Sequence, residues 1–225
     1  MTNCNDCLFK LFLGQHVSEV EFSDLLQSST KVKYQKGECI IRQGVKANHL
    51  LFLSQGRVKF NFENQAGKNV ILTVTAAPGL LGGFNLVNND LSMFSIVAID
   101  TCEVCLVSME RITALLRTNS ELAFKMLGFV TSAFKDSVLN FVNLSHKQVN
   151  GRMADILLYL SGTVYRDRIF HMDLSRKELS EFAGCSRENV IHTLSRFHRE
   201  GIIRAEGKII EILDQGRLEN ISRLG

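Results

Sequence analysis

No stretch of this 225-residue chain approaches the roughly 18 consecutive apolar residues that a membrane-spanning helix needs. The opening MTNCNDC has neither the basic nor the apolar region of a secretory leader. Six cysteines without an export signal read as reduced thiols or metal ligands rather than structural disulfides, so the expectation is a cytoplasmic protein without membrane association. A dominant charge is also missing. The formal net charge is +3, and residues 146–225 carry thirteen Lys/Arg against eleven Asp/Glu. Nucleic-acid binding therefore has to be argued from patterning, not bulk charge. Enzyme motifs are scarce too. There is no G-x-S-x-G elbow, no G-x-x-x-x-G-K-[ST] loop and no H-E-x-x-H pair. Gly79-Leu80-Leu81-Gly82-Gly83 is too short and too apolar for a phosphate cradle. No Lys, Arg or His occurs from Asn69 to Glu110.

The informative stretch is Asp173 to Gly201, DLSRKELSEFAGCSRENVIHTLSRFHREG. Ser175 and Glu178 form a capping box that starts one helix, and Leu179, Phe182 and Ala183 are its apolar stripe. Gly184 ends it, because glycine accepts the left-handed conformation of a tight helix exit. Ser186 caps a second helix running to Gly201. At 3.6 residues per turn, Val190, Leu194 and Phe197 fall on a core-facing side. Glu188, His192, Ser195 and Arg199 fall opposite, with Arg187 projecting from the first turn. Arg187 suits bidentate contact with guanine and Glu188 suits a cytosine amino group. Ser195 and His192 complete the candidate base-reading set. Ser175, Ser186 and Arg199 are candidate phosphate contacts that set register without reading sequence. Ile202-Ile203-Arg204 and Lys208–Ile212 read as two strands around a Glu206-Gly207 turn, a wing with Lys208 near a phosphate.

The segment GCSRENVIHTLSRFHREGIIRAEGKIIEI resembles the winged DNA-binding end of the cyclic-AMP receptor protein / fumarate-nitrate regulator (CRP/FNR) superfamily of bacterial transcription factors. In the cyclic-AMP branch the positions matching Arg187 and Glu188 contact bases, and an arginine normally stands where this chain has His192. The resemblance extends over nearly the whole chain. Glycines at 37, 44, 56, 67 and 79 separate apolar runs at 49–53, 58–62, 70–74, 96–99 and 104–107. Such spacing reads as a β-barrel or jelly roll, similar to the superfamily's effector-binding β-roll. From Ser120 to about Ser145 there is no proline and one glycine, and Phe124, Leu127, Thr131, Phe134, Val138 and Phe141 follow 3-4 spacing. Such a helix either lies on its own domain or pairs with a second copy, and the resemblance implies the second.

The expected architecture is therefore mixed α+β in three parts. A cupin-like β-roll (jelly-roll) sensor occupies 1–118, a dimerisation helix 119–145 and a winged helix-turn-helix 146–225, with a hinge near 146–150. A homodimer would place two recognition helices roughly 34 Å apart, matching successive major grooves of a palindromic site on double-stranded DNA. RNA polymerase is an implied partner. An effector bound in the β-roll would bias the helix pair and hinge, which is the physical minimum for allostery.

The effector is less legible. In the cyclic-AMP branch a glutamate and an Arg-Ser or Arg-Thr pair grip the nucleotide. Here Gly83, beside Gly82, and Ser92-Met93 stand near those positions, and only Ser137 matches a family hydroxyl. Without a cation, a cyclic phosphate loses its strongest contact, which argues against cyclic AMP. Cys4-x-x-Cys7 and Cys102-x-x-Cys105 look like halves of a four-thiolate site. The fumarate-nitrate branch holds an iron–sulfur cluster with N-terminal cysteines plus one matched by Cys105, but Leu13 stands where its third N-terminal cysteine should be. If 96–107 is one continuous strand, Cys102 and Cys105 point to opposite faces. Haem, with His49 or a methionine as axial ligand, is a further alternative, as is an unidentified effector or none. Cys39 and Cys185 read as packing residues. Two other classes remain open. One is a metal-dependent cupin-like enzyme, for which the sensor half offers only His16 and His49. The other is a nucleotide-sensing adaptor that does not bind DNA.

Overall fold

The apolar runs of the first half form strands because each alternates or is wholly apolar between glycine turns. In the computed structural model, which describes residues 8–27, 29–82 and 91–225, the five expected strands are β3 (His49–Gln55), β4 (Arg57–Glu63), β5 (Asn69–Ala76), β7 (Ser95–Ala98) and β8 (Cys102–Ser108). Three more accompany them: β1 (Ser29–Tyr34), β2 (Cys39–Ile41) and β6 (Gly79–Leu81). Their sequence signal is weak because β2 and β6 have three residues each and β1 is half lysine and serine, with half its residues exposed and none buried. The sheets have strand orders β1-β8-β3-β6 and β2-β7-β4-β5. The chain divides into two compact units, Met1–Val58 with Ala76–Asp136, and Lys59–Thr75 with Ser137–Gly225.

In the first unit β3 is covered on both sides, which explains its continuous apolar run. Leu50 and Phe52 face a helical layer of α1 (Leu8–Leu13), α2 (Glu19–Gln27), α3 (Met109–Thr118) and the start of α4 (Ser120–His146), where they meet Phe9, Phe22, Ile112 and Leu122. The Phe9 and Phe52 rings lie 5.1 Å apart in a tilted pair. Across the ladder, Phe52 pairs with Cys105 and Leu53 with Val104, so successive β8 residues alternate between the two faces. The turn from β3 to β4 requires glycine. Gly56 has φ +88°, and a Cβ there would lie 2.4 Å from the Thr101 carbonyl oxygen.

Residues 96–107 are not one continuous strand: residues 99–101 separate β7 from β8, and Cys102 and Cys105 both lie in β8. The turn carries Asp100, whose carboxylate accepts from the Arg57 backbone N–H at 2.7 Å and from Arg57 Nε at 2.7 Å. Asn119 caps α4 by accepting from the Leu122 N–H at 3.0 Å.

The second unit holds α5 (Val149–Tyr159), a π-helical extension over Leu160–Tyr165, β9 (Ile169–His171), α6 (Arg176–Ala183), α7 (Arg187–Arg199), β10 (Ile203–Glu206), β11 (Ile209–Ile212) and α8 (Gln215–Leu224). Residues 147–148 lie outside helix, where the hinge was expected. Met153, Leu157, Leu179, Val190, Phe197, Ile203, Ile210 and Leu218 share the buried core of these elements. Each large apolar side chain so removed from water stabilises the fold by about 1.5–3 kcal/mol. The wing differs from expectation in two ways. Its turn is Gly207-Lys208, one residue later than Glu206-Gly207, because Glu206 pairs with Ile209 in the ladder. And β9 adds a third strand, giving the order β10-β11-β9.

Candidate nucleic-acid interface

The two helices before the wing are built as their caps dictate. Ser175 accepts from the Glu178 N–H at 3.2 Å, and the Glu178 carboxylate accepts from the Ser175 N–H at 2.7 Å, a complete capping box. Gly184 sits at φ +58° and closes α6 through its N–H to the Ser180 carbonyl. Ser186 caps α7 by accepting from the Asn189 N–H at 3.2 Å. Val190, Leu194 and Phe197 are buried, and Arg187, Glu188, His192, Ser195 and Arg199 are all exposed. The helix wheel thus separates core from surface as read.

Electrostatics at the head of α7 favour an ionised carboxylate. The Glu188 carboxyl is held below the usual carboxylate range by its own backbone N–H, then by the Ser186 hydroxyl, with the Arg187 charge adding to both. It is therefore an acceptor at neutral pH, beside an exposed guanidinium. Ser175 and Ser186 are exposed, but both act first as caps, and both hydroxyls also engage the carboxylate of the glutamate that follows. Lys208 is exposed in the wing turn.

One important residue gave no sequence signal. Arg152, on α5, donates from Nη1 to the carbonyls of Ala183 and Gly184 at 2.9 and 3.0 Å. It clamps the turn that aims α7, from 31 positions away in the chain. Thr193 on α7 also hydrogen-bonds Asn150 on α5 at 3.2 Å. Residues 59–75, in the same unit, contribute Lys59, whose ammonium pairs with Glu178. Tyr159 donates to the Val74 carbonyl at 2.6 Å. Ile191 was also missed, although the wheel puts it between Arg187 and Ser195, and it is exposed.

The α4 residues singled out, Phe124, Leu127, Phe134, Val138 and Phe141, are all exposed, Phe124 at 78% and Phe141 at 70%. Among the effector candidates, Gly83 lies outside the described residues. Gly82 has φ +78°, Met93 is exposed, and Ser137 is an exposed residue of α4. Ser92 is buried with its hydroxyl donated to the Phe94 carbonyl at 2.7 Å, so that proton is already committed.

Cys4 and Cys7 also fall outside the described residues. Cys102 is buried, and its thiol points at the Arg57 carbonyl at 3.1 Å. Burial, then the Asp100 carboxylate, pushes it up to about 11. Cys105, three positions along β8, lies on the opposite face and packs with the helical core. This pair does not fit a shared cluster site, since one thiol resists ionisation and the two face apart. His49 begins β3 on the surface. Cys39 is exposed, correcting its reading as a packing residue, because β2 is short and its first side chain faces solvent. Cys185 is half-buried in the turn before α7. Among the described residues no helix is long and apolar enough to cross a membrane.

Comparison with known proteins agrees with this geometry. Residues 31–119 match the model of the cyclic nucleotide-binding domain, and residues 151–221 match that of the Crp-like helix-turn-helix domain, together well over half the chain. The transcriptional activator protein Anr of Pseudomonas aeruginosa is 28% identical over 219 residues, 94% of this chain and 89% of that protein. The cAMP-activated global transcriptional regulator CRP of Salmonella typhimurium is 27% identical over 186 residues, 80% of this chain and 88% of its own. In fold, FixK2 from Bradyrhizobium japonicum superposes with a TM-score of 0.77 at 21% identity, covering 86% of this chain and 96% of that one. Anr and CRP are named as transcription regulators and not as enzymes, which sets aside the cupin-like enzyme reading. With its capped helix pair, wing and strand-rich first half matched by both models, the chain belongs to the CRP/FNR family of DNA-binding transcription regulators.

Proposed function

We propose that the chain acts as a cytoplasmic homodimer that binds a palindromic DNA site and answers to a signal received in its β-roll. Residues 1–118 sense, 119–145 dimerise and 146–225 bind DNA. The observation that carries the reading is the exposed Arg187-Glu188 pair at the capped start of α7, above a buried seam. Arg187 donates to guanine O6 and N7, and Glu188 accepts from a cytosine amino group. His192 and Ser195 read further along the groove, and Arg199, Lys208, Ser175 and Ser186 hold phosphates. The unpartnered aromatic stripe of α4 supports pairing with a second copy. RNA polymerase is the downstream partner that regulation of transcription requires.

The signal is not cyclic AMP. Although the name of the Salmonella typhimurium relative carries that nucleotide, residues 69–110 of this chain supply no cation to its phosphate. The lack of Lys, Arg and His over residues 69–110 favours an uncharged effector. Selection of binding sites from randomised DNA tests the assignment. An inverted repeat with a G·C pair is expected. Arg187→Ala should weaken specific binding by about 1–3 kcal/mol and relax one symmetric base pair. Full selectivity in that variant would refute the placement of α7.

A further inference from the structure

Ile191 has no role in the core, yet it is 44% exposed on the helix that carries the base-reading pair. It lies one helical turn after Arg187 and one turn before Ser195, about 40° from each on the wheel. Every other exposed residue of that strip, Arg187, Glu188, His192 and Ser195, is polar or charged. The buried seam of Val190, Leu194 and Phe197 runs along a different side, and Ile191 does not join it. A β-branched apolar side chain here gains little as helix former and leaves apolar surface in water. The site into which this strip is delivered has one apolar feature. Among the base edges of the major groove, only the 5-methyl group of thymine offers hydrocarbon.

We propose that Ile191 is a specificity-determining residue that reads a thymine by packing its side chain against that methyl group. The inference rests on the DNA-binding reading of α7 and adds a base to it. Isoleucine has no donor or acceptor, so it also selects against a base pair whose polar edge it would cover and leave unpaired. Ile191 stands about 6 Å along the helix from Arg187, so the thymine lies within roughly one or two base pairs of the pair that Arg187 reads. The contact is orthogonal to charge and carries no counterion release, in contrast to the phosphate contacts.

The test uses the full-length protein and the operator recovered from randomised DNA. Each thymine of one half-site, with its symmetry mate, is replaced in turn by deoxyuridine, which removes only the methyl group. At one position the wild type is expected to bind about fifteenfold more weakly, the fold-change for losing two methyl-sized contacts, one in each half-site. Ile191→Ala, which favours helix, should bind thymine and deoxyuridine there equally well while keeping its preference at the Arg187 base pair. A wild type indifferent to every methyl would overturn the proposal. So would an Ile191→Ala protein that still loses the same factor, since another side chain would then be reading the methyl. Loss of selectivity at the Arg187 pair in Ile191→Ala, with circular dichroism unchanged, would show a general disturbance of α7 and overturn it as well. Recovery of no specific site at all would strike the DNA-reading assignment itself, a result distinct from each of these.

Discussion

Removing the guanidinium of Arg152 is expected to loosen the turn that aims the recognition helix. Its Nη1 donates to the carbonyls of Ala183 and Gly184 at 2.9 and 3.0 Å. Those carbonyls end α6, where no intrahelical donor remains and the helix dipole is negative. A hydrogen bond from a charged donor contributes about 1.5–3 kcal/mol net. One nitrogen shared by two acceptors, in a half-buried side chain that water can partly replace, reduces the combined value to about 2 kcal/mol. Arg152→Met keeps the apolar stem and deletes only the charged fork. For a chain of this length, 1 kcal/mol moves the melting temperature by about 2–4 °C, so a fall of roughly 4–8 °C is expected by differential scanning calorimetry. Specific DNA affinity should fall further than the loss of folded protein accounts for, because Arg187 follows Gly184 by one short turn. Arg152→Lys, able to reach one carbonyl as a point donor, should lie between. If Arg152→Met melts within a degree of the wild type and binds the operator equally well, the clamp is not what orients α7.

Glu178 sits below the usual glutamate range. Burial opposes this, but hydrogen bonds from Lys59 and Ser175 and the Lys59 charge outweigh it. A depressed folded value means stability that is present above the ordinary glutamate pKa near 4.5 and lost as pH falls through the lowered one. Glu178→Gln, which preserves the capping geometry, should flatten that part of the acid limb in urea titrations, and an unchanged limb would contradict the pairing. Phe134→Asp is expected to convert dimers to monomers in sedimentation at micromolar concentration, since about 1.5–3 kcal/mol of apolar burial is lost from each copy; a persistent dimer would place the interface elsewhere. With a thiol pushed up to about 11 inside the core, Cys102 should react with iodoacetamide far more slowly at neutral pH than exposed Cys39, as read by peptide mass spectrometry. Equal labelling would contradict its burial.

Much of the DNA-binding part is legible without coordinates because its determinants are local. A capping box spans four residues, a glycine exit needs one left-handed residue, and a helix face is set by a 3.6-residue period. Hence α6, α7 and the buried Val190–Leu194–Phe197 seam could be read directly, as could the long α4 and the five stronger strands. Where the apolar signal was short or diluted, as in β1, β2 and β6, propensity had nothing to sum. The wing turn was misplaced by one residue because ladder register depends on the opposing strand.

Other features depend on partners distant in the chain. That Cys102 and Cys105 share one strand, so that their three-residue spacing turns them to opposite faces, was decided by where the turn at 99–101 ends and β8 begins. Arg152 gained its role only when folding carried α5 to the end of α6, and β9 joined the wing only when Ile169–His171 met β11. The amino-acid order alone therefore determined α4, α6 and α7 and which sides of α6 and α7 seek the core. The tertiary structure decided which separate pieces hold those helices in place, because packing and strand pairing join residues that no periodicity along the chain relates.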